Sequence, residues 1–290
     1  MKDDHTAEKG KNIFLSKALE DRLNDVLVYN SIIETPLSKI NSIMIKDIDD
    51  IGLQYLLNYQ TQREGDLLNA LSYSTTLFPY INEMEPYRES KNGISLEYDD
   101  YKSELSELLN KRRSIRDFSG DEVSFKVISN ILLNAGNIHK IGDFFFRNIA
   151  SGGGFYPIDI YFYANNVENL EQNIYKFNPM NKNLEIINSD SAKSINSIFS
   201  SQSSIQFEKA AGIIFFVFDY IKPFQKYGDF SLSFGFIEVG MISQTIHLLS
   251  TLYGVGVCDI GGFDKPSCES LLKVDGLNKH VIHAMVLGSI

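Results

Sequence analysis

The sequence predicts an α+β fold: a mixed, mainly antiparallel sheet flanked by helices, with a helical extension at the N-terminus. Three observations lead there. Short apolar strands such as IDIYFYA and GIIFFVF are interspersed with helical stretches over residues 106–290. IYKFN and NLEII are separated only by the turn at Pro179 to Lys182, which makes an antiparallel hairpin. Residues 12–60 carry apolar side chains at steps of three to four, the spacing of a helix face. With 290 residues, 43% of them apolar and 22% charged, the chain is globular, which excludes disorder, collagen and coiled coil as its main class.

Taken in order, Ile13, Leu15, Leu19, Leu23 and Val26 to Val28 mark a first helical stretch, and residues 37–59 a second. Pro79, Pro86, Asn92 and Gly93 punctuate an irregular segment. From Asp99 a helix returns through YDDYKSELSELLNKRRS, with Leu105, Leu108 and Leu109 as its expected buried stripe. Ser124 has the place of an N-cap for the next helix, which turns Ile128, Ile131, Leu132 and Ala135 inward and ends at Gly136. ASGGGFYP is a turn into the strand IDIYFYA, and the hairpin follows. Asn188 to Ser204 is a Ser- and Asn-rich surface segment around a short helix. After the buried strand GIIFFVF, residues 233–253 form a long helix stopped by Gly254. VGVCDI, KPSCESLLKV and HVIHAMVLG complete the chain as strand, short helix and strand. The expected division is a helical extension over residues 1–105 and a main domain over 106–290.

Charge narrows the function. The net charge of -10 argues against general nucleic-acid binding, because phosphate contacts need an excess of Lys and Arg. The excess is concentrated in residues 1–110, with 20 acids against 11 bases, while residues 111–290 are nearly neutral. Two cysteines, Cys258 and Cys268, give neither a CxxC pair nor a disulfide framework, as expected in a reducing compartment. MKDDHTAEKGK has no apolar segment of a secretion signal, and the longest apolar run, Ala210 to Phe218, falls far short of a membrane span. A cytoplasmic protein, without membrane or nucleic-acid partner, is the expectation.

Three constellations could carry chemistry. Arg112, Arg113, Ser114 and Arg116 stand close together at a helix exit. Guanidinium groups around one hydroxyl suit a phosphate, and the same residues also suit a solvated basic helix end. Ser151-Gly152-Gly153-Gly154-Phe155-Tyr156-Pro157 lets backbone approach a flat ligand, or is simply a flexible turn. It is neither a dinucleotide fingerprint nor a P-loop. Lys226-Tyr227 is an acid/base pair if partly buried, or a surface lysine beside an aromatic residue. No metal site is expected. Asp47, Asp49 and Gly52 begin like a calcium loop, but Asn58 stands where its last ligand belongs.

RRSIRDF, ASGGGFYPIDIYFY and KYGDFSLSFGFIEVGMISQTIHLLSTLYGVGVCDIGGF, in this order, resemble the nitroreductase-fold flavin superfamily over about Lys111 to Ile290. The glycine-tyrosine-proline and Lys-Tyr pieces resemble its branch of SagB-type dehydrogenases, azoline oxidases such as the microcin B17 dehydrogenase. The resemblance implies an FMN-dependent homodimer that oxidises thiazoline or oxazoline rings in a ribosomally made precursor peptide. Its implied partner is a cyclodehydratase in a synthetase complex. It assigns Arg112, Arg113, Ser114 and Arg116 to the FMN phosphate, with Arg147 in a supporting place. It assigns Ser151, Gly153 and Gly154 to the isoalloxazine, with Gln244, Gly261 and Gly262 nearby. Lys226 and Tyr227 become the catalytic pair. Ala150 and Gly152 depart from the proline and alanine common in that branch. Two other readings stay open: a general FMN nitroreductase or quinone reductase using NAD(P)H, and a flavin-free docking subunit of a peptide-modifying complex.

Overall fold

The computed structural model describes residues 51–58, 93–97, 103–188, 195–199 and 205–290. The helical expectations for residues 12–50 and the irregular segment at 60–92 lie outside these.

The described chain begins with helix α1 (Ile51–Asn58) and helix α2 (Glu104–Lys111). A short strand β1 (Val123–Ser124), helix α3 (Phe125–Gly136) and a hairpin of β2 (Ile138–Ile141) and β3 (Phe144–Arg147) lead to the triglycine turn. Then come β4 (Ile158–Ala164), β5 (Val167–Glu168), β6 (Asn173–Asn178), β7 (Asn183–Asn188) and the one-turn helix α4 (Ile195–Ile198). The remainder is β8 (Gly212–Asp219), α5 (Ile221–Tyr227), α6 (Phe230–Tyr253), β9 (Val255–Ile260), α7 (Lys265–Leu271) and β10 (Lys279–Ser289).

Six strands form one sheet in the order β7-β6-β4-β8-β10-β9, and every neighbouring pair is antiparallel. The parallel contribution comes from the separate β1-β5 pair. Central β8 is buried at all eight positions because both faces of the sheet are covered. Its Ile214, Phe216 and Phe218 join α3 and α6 in one core, and Ile213, Phe215 and Val217 join α4 and α7 in the other. The period of two in IDIYFYA divides in the same way: Ile160 and Phe162 face the first core, Tyr161 and Tyr163 the second.

The register decides where a site can form. Ile158 at the start of β4 pairs with Phe218 at the end of β8. Lys279 at the start of β10 pairs with Asp219, and β9 runs antiparallel to β10. The triglycine turn before β4, the segment after β8 and the glycines after β9 therefore all leave the same end of the sheet.

Several local expectations change. The stripe Leu105, Leu108 and Leu109 is not buried, and Leu105 and Leu109 are exposed. That helix is set by a reciprocal capping box between Ser103 and Ser106, which needs no core face. Ser124 precedes α3 but makes no capping hydrogen bond, and its backbone pairs with Glu168 instead. α1 lies in the stretch assigned to the extension, yet Leu56 is fully buried in the α3–α6 core and Tyr55 meets Phe236 edge-on at 6.2 Å. α6, with 24 residues, is long and apolar enough to cross a membrane. It lays Val239, Ile242 and Ile246 against the sheet and also buries Glu238, Ser243 and His247.

Gly212 opens β8 where nothing larger fits. A Cβ there would collide with the Tyr163 carbonyl oxygen and lie 2.5 Å from the Phe162 ring. Gly212→Ala is expected to cost about 1–3 kcal/mol of stability, read from the denaturant midpoint at unchanged slope.

Candidate functional site

The triglycine turn is a rigid object. Gly153 (φ 66°), Gly154 (φ 71°) and Tyr156 (φ 48°) all occupy the left-handed region, which favours glycine and strains tyrosine. A hydrogen-bond chain holds that strain. The Tyr156 backbone N–H donates to Ser151 Oγ at 2.9 Å, closing the turn on itself. The Ser151 hydroxyl in turn acts on the Glu238 carboxylate, which also feels the Ile158 backbone. The Arg147 backbone N–H donates to Tyr156 Oη at 3.2 Å, and its guanidinium donates to the Ile158 carbonyl at 3.2 Å. The guanidinium carbon lies 5.2 Å from the centre of the Tyr156 ring.

Glu238, which the sequence analysis did not single out, is thus the anchor below the turn. It is 2% exposed. Burial pushes its carboxyl above the ordinary range, against the pull of the Ser151 hydrogen bond, the Arg147 charge and the Ile158 backbone bond. Burial likewise holds the Arg147 guanidinium below its ordinary value, against the raising effect of Glu238 and Asp159. Arg147 therefore supports the turn from within rather than standing free toward solvent. A lone acid inside an otherwise apolar helix sequence was the available signal for Glu238.

Above the turn lies the Lys-Tyr pair. Both residues sit on the last turn of α5, a helix the sequence analysis did not identify. A Cβ on Gly153 would lie 2.5 Å from Tyr227 Oη, and one on Gly152 would lie 3.0 Å from the Phe234 ring. Tyr227 meets Phe155 edge-on at 6.0 Å and Phe234 edge-on at 5.0 Å. The Lys226 ammonium stands 5.0 Å from the Tyr227 ring centre and 5.8 Å from that of Phe155. The structure brings Ser151, Gly153, Lys226 and Tyr227 together. Lys226 is exposed, so this chain alone does not bury it.

The arginine segment lies elsewhere at the site. The Ile115 N–H donates to the Val257 carbonyl at 2.9 Å, so RRSIRDF runs along the edge strand β9. Arg116 is exposed and acts electrostatically on Cys258. The Arg113 guanidinium donates to the carbonyls of Asn110 and Arg112 at 2.8 and 2.7 Å, as a basic residue at a helix end does. Arg112 is half-buried and Ser114 exposed. Among the described residues no hydrogen bond joins this segment to the triglycine turn. Gln244 is exposed on α6, and Gly261 and Gly262 are exposed after β9.

These features fit a flat ring carried on an anionic tail. A Cβ at Gly154, Gly261 or Gly262 would meet nothing within 4 Å, so backbone is open to a planar group there. Arg116 and Ser114 offer a charge and a hydroxyl at the surface. The other ionisable clusters are apart. Lys265, Glu269 and His280 form a buried group, with Lys265 Nζ 2.5 Å from Glu269 Oε1. A bulge between Val281 and His283 interrupts the alternation of β10, and the two histidines have separate partners. No cluster suited to a metal ion occurs among the described residues.

Removing the Glu238 carboxylate deprives the Ser151 hydroxyl proton and the Ile158 amide of that partner, while Ser151 Oγ still accepts from Tyr156. Glu238→Ala is expected to cost about 1–3 kcal/mol. A carboxyl raised in the folded state contributes stability below its unfolded pKa and loses it as pH climbs through the folded value. As pH rises from about 4 through the folded value, stability of the parent chain should therefore fall relative to Glu238→Gln, in denaturation series at several pH values. Parallel curves would contradict the burial of that charge.

Comparisons with known proteins identify the fold and the family. One chain of the E. coli microcin synthetase McbBCD complex with truncated pro-MccB17 bound superposes with a TM-score of 0.63 at 17% identity, covering 92% of this chain and 97% of that one. A Ralstonia eutropha structure described as a nitroreductase gives a TM-score of 0.55 at 18% identity, covering 68% of this chain and 87% of that one. At these identities the likeness is one of fold. A Methanocaldococcus jannaschii protein named as a nitroreductase is 26% identical over 172 residues, covering 59% of this chain and 84% of the relative. The model of the Nitroreductase family matches residues 109–289, more than half of the chain. The chain belongs to the nitroreductase family, an oxidoreductase fold in which Lys226 and Tyr227 stand over the triglycine turn.

Proposed function

We propose that this chain is an FMN-dependent dehydrogenase that oxidises thiazoline or oxazoline rings of a ribosomally made peptide to thiazole or oxazole. The observation that carries the proposal is the approach of Tyr227 Oη to within 2.5 Å of where a Gly153 Cβ would stand, which sets the Lys-Tyr pair over a strained turn whose backbone is open at Gly154. The breadth of the likeness to the microcin synthetase chain supports it, since that match covers 92% of this chain and the Ralstonia match 68%. In this reading the chain works in the cytoplasm as a homodimer, beside the cyclodehydratase that makes its substrate.

Aromatising an azoline removes a proton from one ring carbon and a hydride from its neighbour. Bound FMN would supply the acceptor for the hydride, with dioxygen as the terminal oxidant. Arg112, Arg116 and Ser114 would hold its phosphate, and the backbone at Gly153 and Gly154 its ring. Lys226 takes the ring proton on its amine, while Tyr227 Oη fixes the azoline against the turn. Phe155 and Phe234 wall the place where a flat ring enters. Because Lys226 is exposed in the single chain, the substrate or the second protomer must exclude water around it.

The test is peptide mass after incubation with an azoline-bearing peptide. Each oxidised ring loses two hydrogens. Lys226→Ala is expected to lower turnover by about 10²–10⁴-fold and Tyr227→Phe to lower it as well, both with FMN retained. Full turnover in either variant removes that residue's role. The family assignment also favours a nitroreductase or quinone reductase. Rapid bleaching of the flavin by NAD(P)H with nitroaromatic turnover, and unchanged azoline peptide, would establish that reading instead.

A further inference from the structure

A second polar anchor lies at the other half of the site. Asp259 is on β9, two residues before Gly261. Its carboxylate accepts the Ser243 hydroxyl at 2.6 Å and His283 Nε2 at 2.8 Å on Oδ1, and His247 Nε2 at 2.8 Å on Oδ2. Two of these partners come from α6 and one from β10, so a single side chain ties three elements together. His283 is itself held flat against Phe216, with ring centres 5.7 Å apart. Burial disfavours the charge on Asp259, but the hydrogen bonds from His247, His283 and Ser243 outweigh it and hold the carboxyl far below its usual range.

Its neighbours give the cluster its meaning. Cys258, the preceding residue, feels the charge of Arg116. Gln244 follows Ser243 on α6 and is exposed. Gly261 and Gly262, with open backbone, follow directly after β9. Of the flavin contacts proposed for this half of the site, Gln244 adjoins Ser243, Gly261 and Gly262 lie two and three residues after Asp259, and Arg116 acts on the neighbouring Cys258. The carboxylate is not sealed in: 39% of its side chain is exposed. A carboxylate serving only to pin β9 could be replaced by apolar packing, whereas this one keeps a partly exposed negative charge two residues before the open Gly261–Gly262 backbone.

We propose that Asp259, held by Ser243, His247 and His283, is a positioning residue for the flavin: it sets the Gly261–Gly262 turn and maintains a negative charge beside the bound ring. This rests on the FMN reading above, and the experiment separates the two.

Full-length parent protein, Asp259→Asn and Ser243→Ala are titrated with FMN, and the midpoint potential of the bound flavin is measured. Parent protein that takes up no FMN removes the flavin reading and this proposal with it. With FMN bound to the parent, Asp259→Asn is expected to weaken it about tenfold, the loss of one charge-assisted hydrogen bond. It should also raise the potential, because a nearby negative charge opposes reduction. Ser243→Ala keeps the charge, so it should weaken FMN severalfold and leave the potential in place. An unmoved potential in flavin-loaded Asp259→Asn overturns the proposal, since loosened packing alone changes retention. If Asp259→Asn does not fold, Ser243→Ala decides: FMN binding equal to that of the parent overturns the proposal and leaves the flavin reading standing.

Discussion

One buried carboxylate fixes the geometry on which the site depends. Glu238 reaches from α6 to Ser151, Ser151 holds Tyr156, and Tyr156 receives the Arg147 amide. Without that chain, three left-handed residues within four positions would be free to relax, and Tyr227 would lose the surface on which its hydroxyl rests. The strain is affordable because the buried polar groups leave the turn few other arrangements.

α6 extends this logic along its length. Its buried face carries Glu238 and then Ser243 and His247, separated by about 7.5 Å of axial rise for five residues. The first anchor serves the triglycine turn and the others serve the end of β9. A helix with only apolar contacts could slide or rotate by small amounts in its groove. One with polar anchors at two places along its buried face is fixed in register, and the two halves of the site are fixed with it. The register of the sheet does the rest by sending all three active segments out at one end.

Much of this was legible in the sequence, for identifiable reasons. IDIYFYA and GIIFFVF announced themselves because both sheet faces are covered and their apolar content is high. SGGGFYP and Lys226-Tyr227 stood out because three glycines and a lysine-tyrosine pair are unusual in their surroundings, although nothing in the sequence said that they touch. The α2 stripe misled, since Leu105 and Leu109 have helical spacing but face solvent. The β2-β3 hairpin was missed because Phe144, Phe145 and Phe146 in a row show no alternation, and all three are exposed. Glu238 and Asp259 were missed for a different reason. Glu238 gives only the signal of a lone acid in an apolar helix, and Asp259 looks like an ordinary acid until partners such as His283 arrive from elements far away in the chain.

The central claim is that the triglycine turn is where a flavin ring rests, and the visible absorption spectrum after FMN loading and gel filtration tests it most directly. The parent chain should leave the column yellow with resolved flavin bands. Gly153→Val, which places a branched side chain where Tyr227 Oη and a left-handed backbone leave no room, should leave it colourless while still folded. A colourless parent protein, or a Gly153→Val protein as yellow as the parent, would contradict the account.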